Sequence, residues 1–420
     1  MLFVTIAAAQ EAKAPPASKS PRIEALRASI ESGDLTAIDG FWKAVESEHT
    51  PIVEPIEGVN DYALVTFLWK GDAETNAVHL TGSLFTEPRE RRGLKRLGAT
   101  SVWYKTERMR TDLRGSYQFI VNDTAELPDS VEEAIELGKK AVADPLNPKK
   151  GPGPGSLVEW AAAPPQPWIE NNRDAPRGEM HPHRVASKIL GNERAVSVYT
   201  PPGYTKEKGP YGMMLLFDLE SYTTIVPTAR IMNNLIAAGE IPSMIVVMIG
   251  NVERDKELPC YAPFAEFLAT ELIPWARENY AISEDPAKNV VGGSSYGGLA
   301  ASYFAFAHPE LIGNVLSQSG SYWWAPGWDW YRPVDSMETE WLTKEYAHAE
   351  TKPLRFYMDV GLREGGEPSM AVVNRHLRTV LEAKGYTIVK YREFNGGHEY
   401  INWRGTLADG LIALVGTKPK

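Results

Sequence analysis

Val291-Gly292-Gly293-Ser294-Ser295-Tyr296-Gly297-Gly298 decides the fold of this 420-residue chain. Lys288-Asn289-Val290-Val291 before it reads as the end of a strand, and Leu299 to His308 after it as a helix. The pattern G-x-S-x-G fits one frame only, Gly293-x-Ser295-x-Gly297, because Tyr296 stands where the neighbouring frame needs glycine. A serine on a sharp strand-to-helix turn sits in strained backbone, and side chains on its flanks would collide with strand and helix. Glycines remove the collision and leave Oγ exposed at a helix N-terminus, where backbone N–H groups can hold an oxyanion. A plain glycine-rich turn of an α/β protein is the alternative reading of the same residues.

The order of the residues that follow favours a nucleophile. Hydrolases built on such an elbow place nucleophile, acid and histidine in that order along the chain. Of the four histidines after Ser295, His308 falls at the end of the elbow helix. His348 lies in a mixed-charge stretch, and His376 lies in the helical run Val372 to Leu381. His398 instead follows the strand-like Thr387 to Phe394 and the turn Asn395-Gly396-Gly397, where a general base can project toward the serine. For the acid, the strand Leu354 to Val360 runs into Gly361-Leu362-Arg363-Glu364, and the loop position favours Glu364. Asp359, inside the strand, is the alternative, and Asp335 a third candidate. A serine–histidine pair without an acid also remains open.

Composition bounds the function. A net charge of −10 without a basic block argues against a nucleic-acid partner. No apolar segment reaches the roughly 20 residues needed to span a bilayer. Cys260 is the only cysteine, so an intrachain disulfide is impossible. Histidine and cysteine spacing suggests no metal site beyond His181-Pro182-His183, in an expected loop, and no cofactor is expected. Met1 to Ala12 resembles the apolar core and small-residue end of a secretory signal without its basic start. Export, periplasmic or beyond, is therefore the expectation, with a disordered cytoplasmic N-terminus as its alternative.

Four stretches follow. Residues 1–21 are signal-like or disordered. Residues 22–143 combine a helical segment with short alternating strands, Tyr62 to Trp69, Ala77 to Gly82, Ser101 to Thr106 and Gly115 to Val121, and predict an immunoglobulin-like β-sandwich. The Pro/Gly-rich 144–186 reads as a join without regular elements. From 187 to 420 apolar strands such as Ile245 to Ile249 alternate with helical stretches, which predicts an α/β-hydrolase with a mostly parallel sheet and its site at the strands' carboxyl ends.

Several motifs together resemble the enterochelin esterase family of α/β-hydrolases. They are Glu257-Leu258-Pro259-Cys260, the elbow, Asn314 to Trp324, Gly361-Leu362-Arg363-Glu364, and Gly396-Gly397-His398 with Trp403-Arg404. In the N-terminal half, Arg114 to Phe119 and Asp144-Pro145-Leu146-Asn147-Pro148 look like the family's lid-forming β-domain and its exit. The resemblance implies a serine esterase that opens catecholate siderophore trilactones. Ser295 would attack the ester carbonyl, His398 would take its proton and Glu364 would be the acid. Backbone N–H groups of Tyr296 and Leu219 would hold the oxyanion, although Leu219 stands where relatives usually have glycine. Arg254 would bind the anionic substrate, with Arg363 and Arg404 behind it. Trp323 and Trp324, among the crowded Tyr322, Trp328 and Trp330, would stack on catechol rings or else pack the core or lid. The expected partner is thus a small molecule, a ferric or apo siderophore, with the oligomeric state open. Two rivals stand beside this reading. Val198-Tyr199-Thr200-Pro201-Pro202-Gly203-Tyr204 also resembles feruloyl and acetyl-xylan esterases, and a binding protein that lost catalysis would keep the same pocket.

Overall fold

A computed structural model describes residues 19–85, 89–123, 131–151, 153–329, 332, 334–366 and 368–417. The signal-like stretch and Trp330 lie outside the described residues. The N-terminal part is two facing sheets. One carries β1 (Ile52–Ile56), β2 (Val59–Lys70), β4 (Lys95–Arg96) and β5 (Val102–Arg110) in the order β1-β2-β5-β4. The other carries β3 (Val78–Thr81), β6 (Arg114–Val121) and β7 (Ser156–Glu159) in the order β3-β6-β7. β2 shows why its run is apolar on both faces. Successive side chains point to opposite sides of a strand, so Val65 and Phe67 join the core between the sheets with Leu80, Tyr117 and Phe119. Leu68 turns to the other side, where the helices Pro21–Glu31 and Thr36–Glu48 cover it with Ile23, Trp42 and Val45. Ser20 caps the first of these helices by accepting the Ile23 N–H, with Pro21 opening its first turn.

The join departs from the expectation. Ser156–Glu159 pairs antiparallel with β6 as β7, because four residues between the glycine-rich turn and the prolines suffice to extend an existing sheet edge, with Trp160 to Ala163 leading on to Pro164. Asp144 is fully buried and accepts the Tyr117 hydroxyl at 2.7 Å, so the exit from the sandwich is a fixed turn. His181 and His183 lie in a strand, β8 (Glu179–Ser187), rather than in a loop, and they bond Thr200 and Tyr280. The Pro182 between them fits because β8 is the edge of its sheet.

That sheet has eight strands in the order β15-β14-β13-β12-β10-β11-β9-β8. They are β9 (Asn192–Thr200), β10 (Gly212–Leu216), β11 (Met244–Ile249), β12 (Val290–Ser294), β13 (Asn314–Gln318), β14 (Arg355–Gly361) and β15 (Thr387–Phe394), with β8 at the edge. Neighbours from β11 through β10 to β15 are parallel, and β9 runs antiparallel to both its partners. All six residues of β11 are buried, because helices cover both faces of the sheet. One face packs Phe264, Phe304 and Leu377, and the other packs Ile231, Leu407 and Leu411. The parallel strands end on one side, and the candidate site residues Ser295, Glu364 and His398 lie just beyond those ends.

Candidate active site

Ser295 links β12 to the helix Tyr296–Ala307 with φ 58° and ψ −124°, a conformation that non-glycine residues avoid. The surrounding backbone enforces it. A Cβ on Gly293 would stand 2.7 Å from the Gly297 carbonyl carbon, and one on Gly298 2.9 Å from Ser317 Oγ. Ser295 N–H donates to the Gln318 carbonyl of β13 at 2.9 Å, pinning the turn to the neighbouring strand. Its hydroxyl lies 3.3 Å from Ser321 Oγ.

His398 follows β15 and reaches Glu364, which follows β14, with Nδ1 2.7 Å from Oε2. The Glu364 side chain is fully buried, while the His398 ring opens to the cavity on its other side. Its other oxygen accepts the Ser319 hydroxyl at 2.6 Å and the Gly361 N–H at 2.7 Å. Ser319 has φ 47° and in turn accepts the Trp403 indole N–H at 3.0 Å. Trp403 stands edge-on to the His398 ring, with centroids 4.8 Å apart. The carboxylate and the imidazole are therefore each fixed from two sides.

Asp359 does not make this contact. It lies inside β14, fully buried, and no well-aligned hydrogen bond reaches either of its oxygens although Thr406 and Tyr357 flank it. Burial pushes its carboxyl up to about 7, and the nearby Glu364 charge adds to this. Asp335, on a short turn of helix, makes no contact with His398 among those described.

Ser295, Tyr296, His398 and Glu364 share one cavity of about 640 Å³, within the range of small-molecule sites. Trp323 and Trp328 line it too, with ring centroids 4.5 Å apart, and Tyr296 lies 5.6 Å from Trp323. Trp324 is not brought there. It packs edge-on against Trp341 at 6.3 Å, its backbone N–H closing a turn onto the Ser321 carbonyl at 3.1 Å. Tyr322 is buried in the core, its hydroxyl 2.6 Å from Ser317 Oγ. Ser83, Phe85 and Arg92 of the N-terminal domain close the other wall.

Arg254 lines the cavity, yet its guanidinium forks onto Asp218, Nε to Oδ1 at 2.7 Å and Nη2 to Oδ2 at 3.0 Å. Asn251 adds a third donor to Oδ1 at 2.6 Å. Asp218 has φ 58° and opens the short helix Leu219–Thr224, so these bonds hold the loop that carries the Leu219 N–H. That loop abuts the elbow, since a Cβ on Gly297 would stand 3.3 Å from Asp218 Oδ2. Both Tyr296 and Leu219 begin helices, where N–H groups have no intrahelical acceptor. Arg363 lines the cavity and donates to the Leu84 carbonyl at 2.7 Å. Arg404 lies outside it, bonded to Gln166 at 2.7 Å. Sequence reading passed over Ser319, Ser321 and Asp218. Two of them stand in the polar run Ser317 to Ser321 at and just beyond the end of β13, a signal available in the sequence.

The motif Glu257-Leu258-Pro259-Cys260 has a structural explanation. Glu257 accepts both Nη groups of Arg194 in β9 at 3.0 and 2.8 Å, and both side chains are buried. Burial pushes the Cys260 thiol well up, so it stays protonated and inert. Among the described residues no cluster suited to a metal ion occurs, and no helix is long and apolar enough to cross a membrane.

Comparison with known proteins agrees across both domains. The putative esterase family model matches residues 187–414, and the model for the N-terminal domain of enterochelin esterase matches residues 64–169. An iron(III) enterobactin esterase of Dickeya dadantii is 30% identical, covering 96% of this chain and 97% of its own length. One from Escherichia coli O6:H1 is 31% identical over 85% of this chain and 88% of its own. The crystal structure of the ferric enterobactin esterase from Salmonella typhimurium superposes with a TM-score of 0.72 at 26% identity, covering 90% of this chain and 98% of that one. A carboxylic-ester hydrolase fold, an N-terminal domain of matching type and near full-length similarity lead to one conclusion: the chain belongs to the enterochelin esterase family.

Proposed function

We propose that this protein is a serine esterase that cleaves the ester bonds of catecholate siderophores of the enterobactin type. The observation that carries this is the two-domain cavity. Ser295 and His398 face Ser83, Phe85 and Arg92 across it, so the domain matching the enterochelin esterase N-terminal model walls the site. Relatives over nearly the whole length act on iron(III) enterobactin. The aromatic group Tyr296, Trp323 and Trp328 suits flat catechol rings.

In this reading Ser295 Oγ attacks the ester carbonyl while His398 Nε2 takes its proton. Glu364 holds the Nδ1–H tautomer and stabilises the imidazolium that forms. The Tyr296 and Leu219 N–H groups hold the oxyanion. As the tetrahedral intermediate collapses, His398 returns the proton to the leaving alkoxide, and water repeats the sequence on the acyl-enzyme. Arg254 acts chiefly through Asp218, keeping the oxyanion loop in place. Iron, when present, enters bound to the substrate.

Hydrolysis of ferric and apo enterobactin, with product chromatography and a feruloylated sugar ester as control, tests the proposal. Release of dihydroxybenzoylserine units that disappears in Ser295→Ala is expected, with ligand affinity nearly intact. Cleavage of the sugar ester alone would overturn the substrate assignment.

A further inference from the structure

The residues around His398 face two ways. His398 turns to Glu364 and the cavity, while its neighbours from Asn395 to Glu399 grip the N-terminal domain. The Asn395 carbonyl accepts the Arg114 N–H at 3.3 Å, and its side-chain amide donates to Asp112 Oδ1 at 2.8 Å. Gly396 bridges Arg114 in parallel, as an added strand would. Gly397 presses on Ser83 so closely that a Cβ there would stand 2.2 Å from the Ser83 carbonyl oxygen. One oxygen of Glu399 accepts the Ser116 N–H at 3.0 Å, and the other accepts the Ser116 hydroxyl.

A segment containing two successive glycines has high conformational entropy, so by itself it would hold a catalytic imidazole poorly. Within the catalytic domain the Gly396 carbonyl accepts the Arg363 N–H at 3.0 Å and the Gly397 carbonyl accepts the Asn402 amide at 3.1 Å, and the N-terminal domain supplies the rest of the order. β6, which supplies Arg114 and Ser116, is fixed by its own pairing to β3 and β7. Glu399 is largely buried between the domains. Burial pushes its carboxyl up, and the bonds from Ser116 and Ser83 and the charge of His398 work against that shift. A side chain placed there with two acceptors on one residue of the other domain is a latch.

We infer that docking of the N-terminal domain positions the general base, with Glu399 and Ser116 as the latch, so that Glu399 is a positioning residue for the reaction at Ser295. The inference rests on the reading of His398 as that base. It assigns the N-terminal domain a role beyond walling the cavity.

The test uses the full chain with p-nitrophenyl acetate, an ester too small to depend on the N-terminal wall for its grip. Glu399→Ala is expected to lower kcat by about 10- to 100-fold with KM nearly unchanged, as a misplaced catalytic group does. Glu399→Gln should recover most of that loss, since its amide still accepts the Ser116 N–H and faces the hydroxyl. Asp112→Ala, which removes the acceptor of Asn395 from the N-terminal side, should lower kcat in the same direction by less. Circular dichroism melting of each variant establishes folding, and Ser116→Ala with Asp112→Ala carries the test if Glu399→Ala does not fold. A folded Glu399→Ala with wild-type kcat, a change confined to KM, or a glutamine no better than alanine would overturn the latch. Wild-type protein that neither turns over the ester nor takes a fluorophosphonate label on Ser295 would instead overturn the esterase reading.

Discussion

Glu364→Gln should damage the enzyme more than Glu364→Ala, against the usual ranking of conservative changes. Two donors, the Ser319 hydroxyl at 2.6 Å and the Gly361 N–H at 2.7 Å, converge on Oε1, so the single carbonyl oxygen of glutamine stays there. Its NH2 group then replaces Oε2, 2.7 Å from His398 Nδ1. Nδ1 must now accept, which moves the proton to Nε2 and leaves no lone pair for Ser295. A triad locked in the wrong tautomer loses about four orders of magnitude in kcat. Alanine removes the bond without imposing a tautomer. The loss is then that of one hydrogen bond to a charged group, about 1.5 to 3 kcal/mol, or roughly 10- to 150-fold. Steady-state turnover of a p-nitrophenyl ester and the rate of fluorophosphonate labelling at Ser295 measure both variants. A glutamine variant more active than the alanine one, or within about tenfold of wild type, would refute the tautomer argument and return the question to Asp359 or to a serine–histidine pair.

Three further outcomes follow from the geometry. Asp359 has its carboxyl raised from 3.8 to about 7 by burial. The folded state thus keeps a proton that the unfolded chain has lost, and stability present below about pH 4 is lost as pH rises through about 7, by at most roughly 4 kcal/mol. Asp359→Asn should abolish that loss, so urea midpoints at about pH 5 and pH 8 should converge relative to wild type, and parallel curves would contradict the assignment. Arg254→Ala should lower kcat by about 10²- to 10³-fold through the freed oxyanion loop, whereas a rise in KM alone would show that Arg254 grips substrate directly. Glu257→Ala should cost about 3 to 5 kcal/mol in denaturant unfolding by stranding buried Arg194, while replacing both partners with leucine and methionine should restore most of it.

The sequence carried some of these features openly and hid others. The elbow was legible because its requirement is local. Glycine is needed wherever a side chain would strike the turn, and the approach of Gly293 to Gly297 is that requirement in coordinates. Chain order with its place after a strand favours His398, and the loop beyond a strand favours Glu364 over Asp359 and Asp335; in the structure His398 and Glu364 meet. The alternation in Tyr62 to Trp69 announced a strand but not that both its faces would be covered, which depends on helices that arrive earlier in the chain. Arg254 was legible as a cation near the site, but its charge is directed first to Asp218, a pairing across 36 positions that composition cannot show. Trp323 lines the cavity and Trp324 does not, a difference set by the turn that carries them and one that no count of aromatics reveals. The strand Ser156–Glu159 is hidden in the Pro/Gly-rich join because four residues make a strand only when a partner edge waits for them.

The Ser116–Glu399 bond spans 283 positions. On the ribosome, the N-terminal sandwich can close its core long before its catalytic counterpart is made, since domains emerge and fold in order. Glu399 and the helix Tyr400–Val415 follow much later. Contacts of such separation also form late in refolding, because the loop they close is long. On the proposed reading, activity therefore waits until the two domains have met. By the same reading, a chain cut before His398 is expected to show no ester turnover, however completely its sandwich has folded.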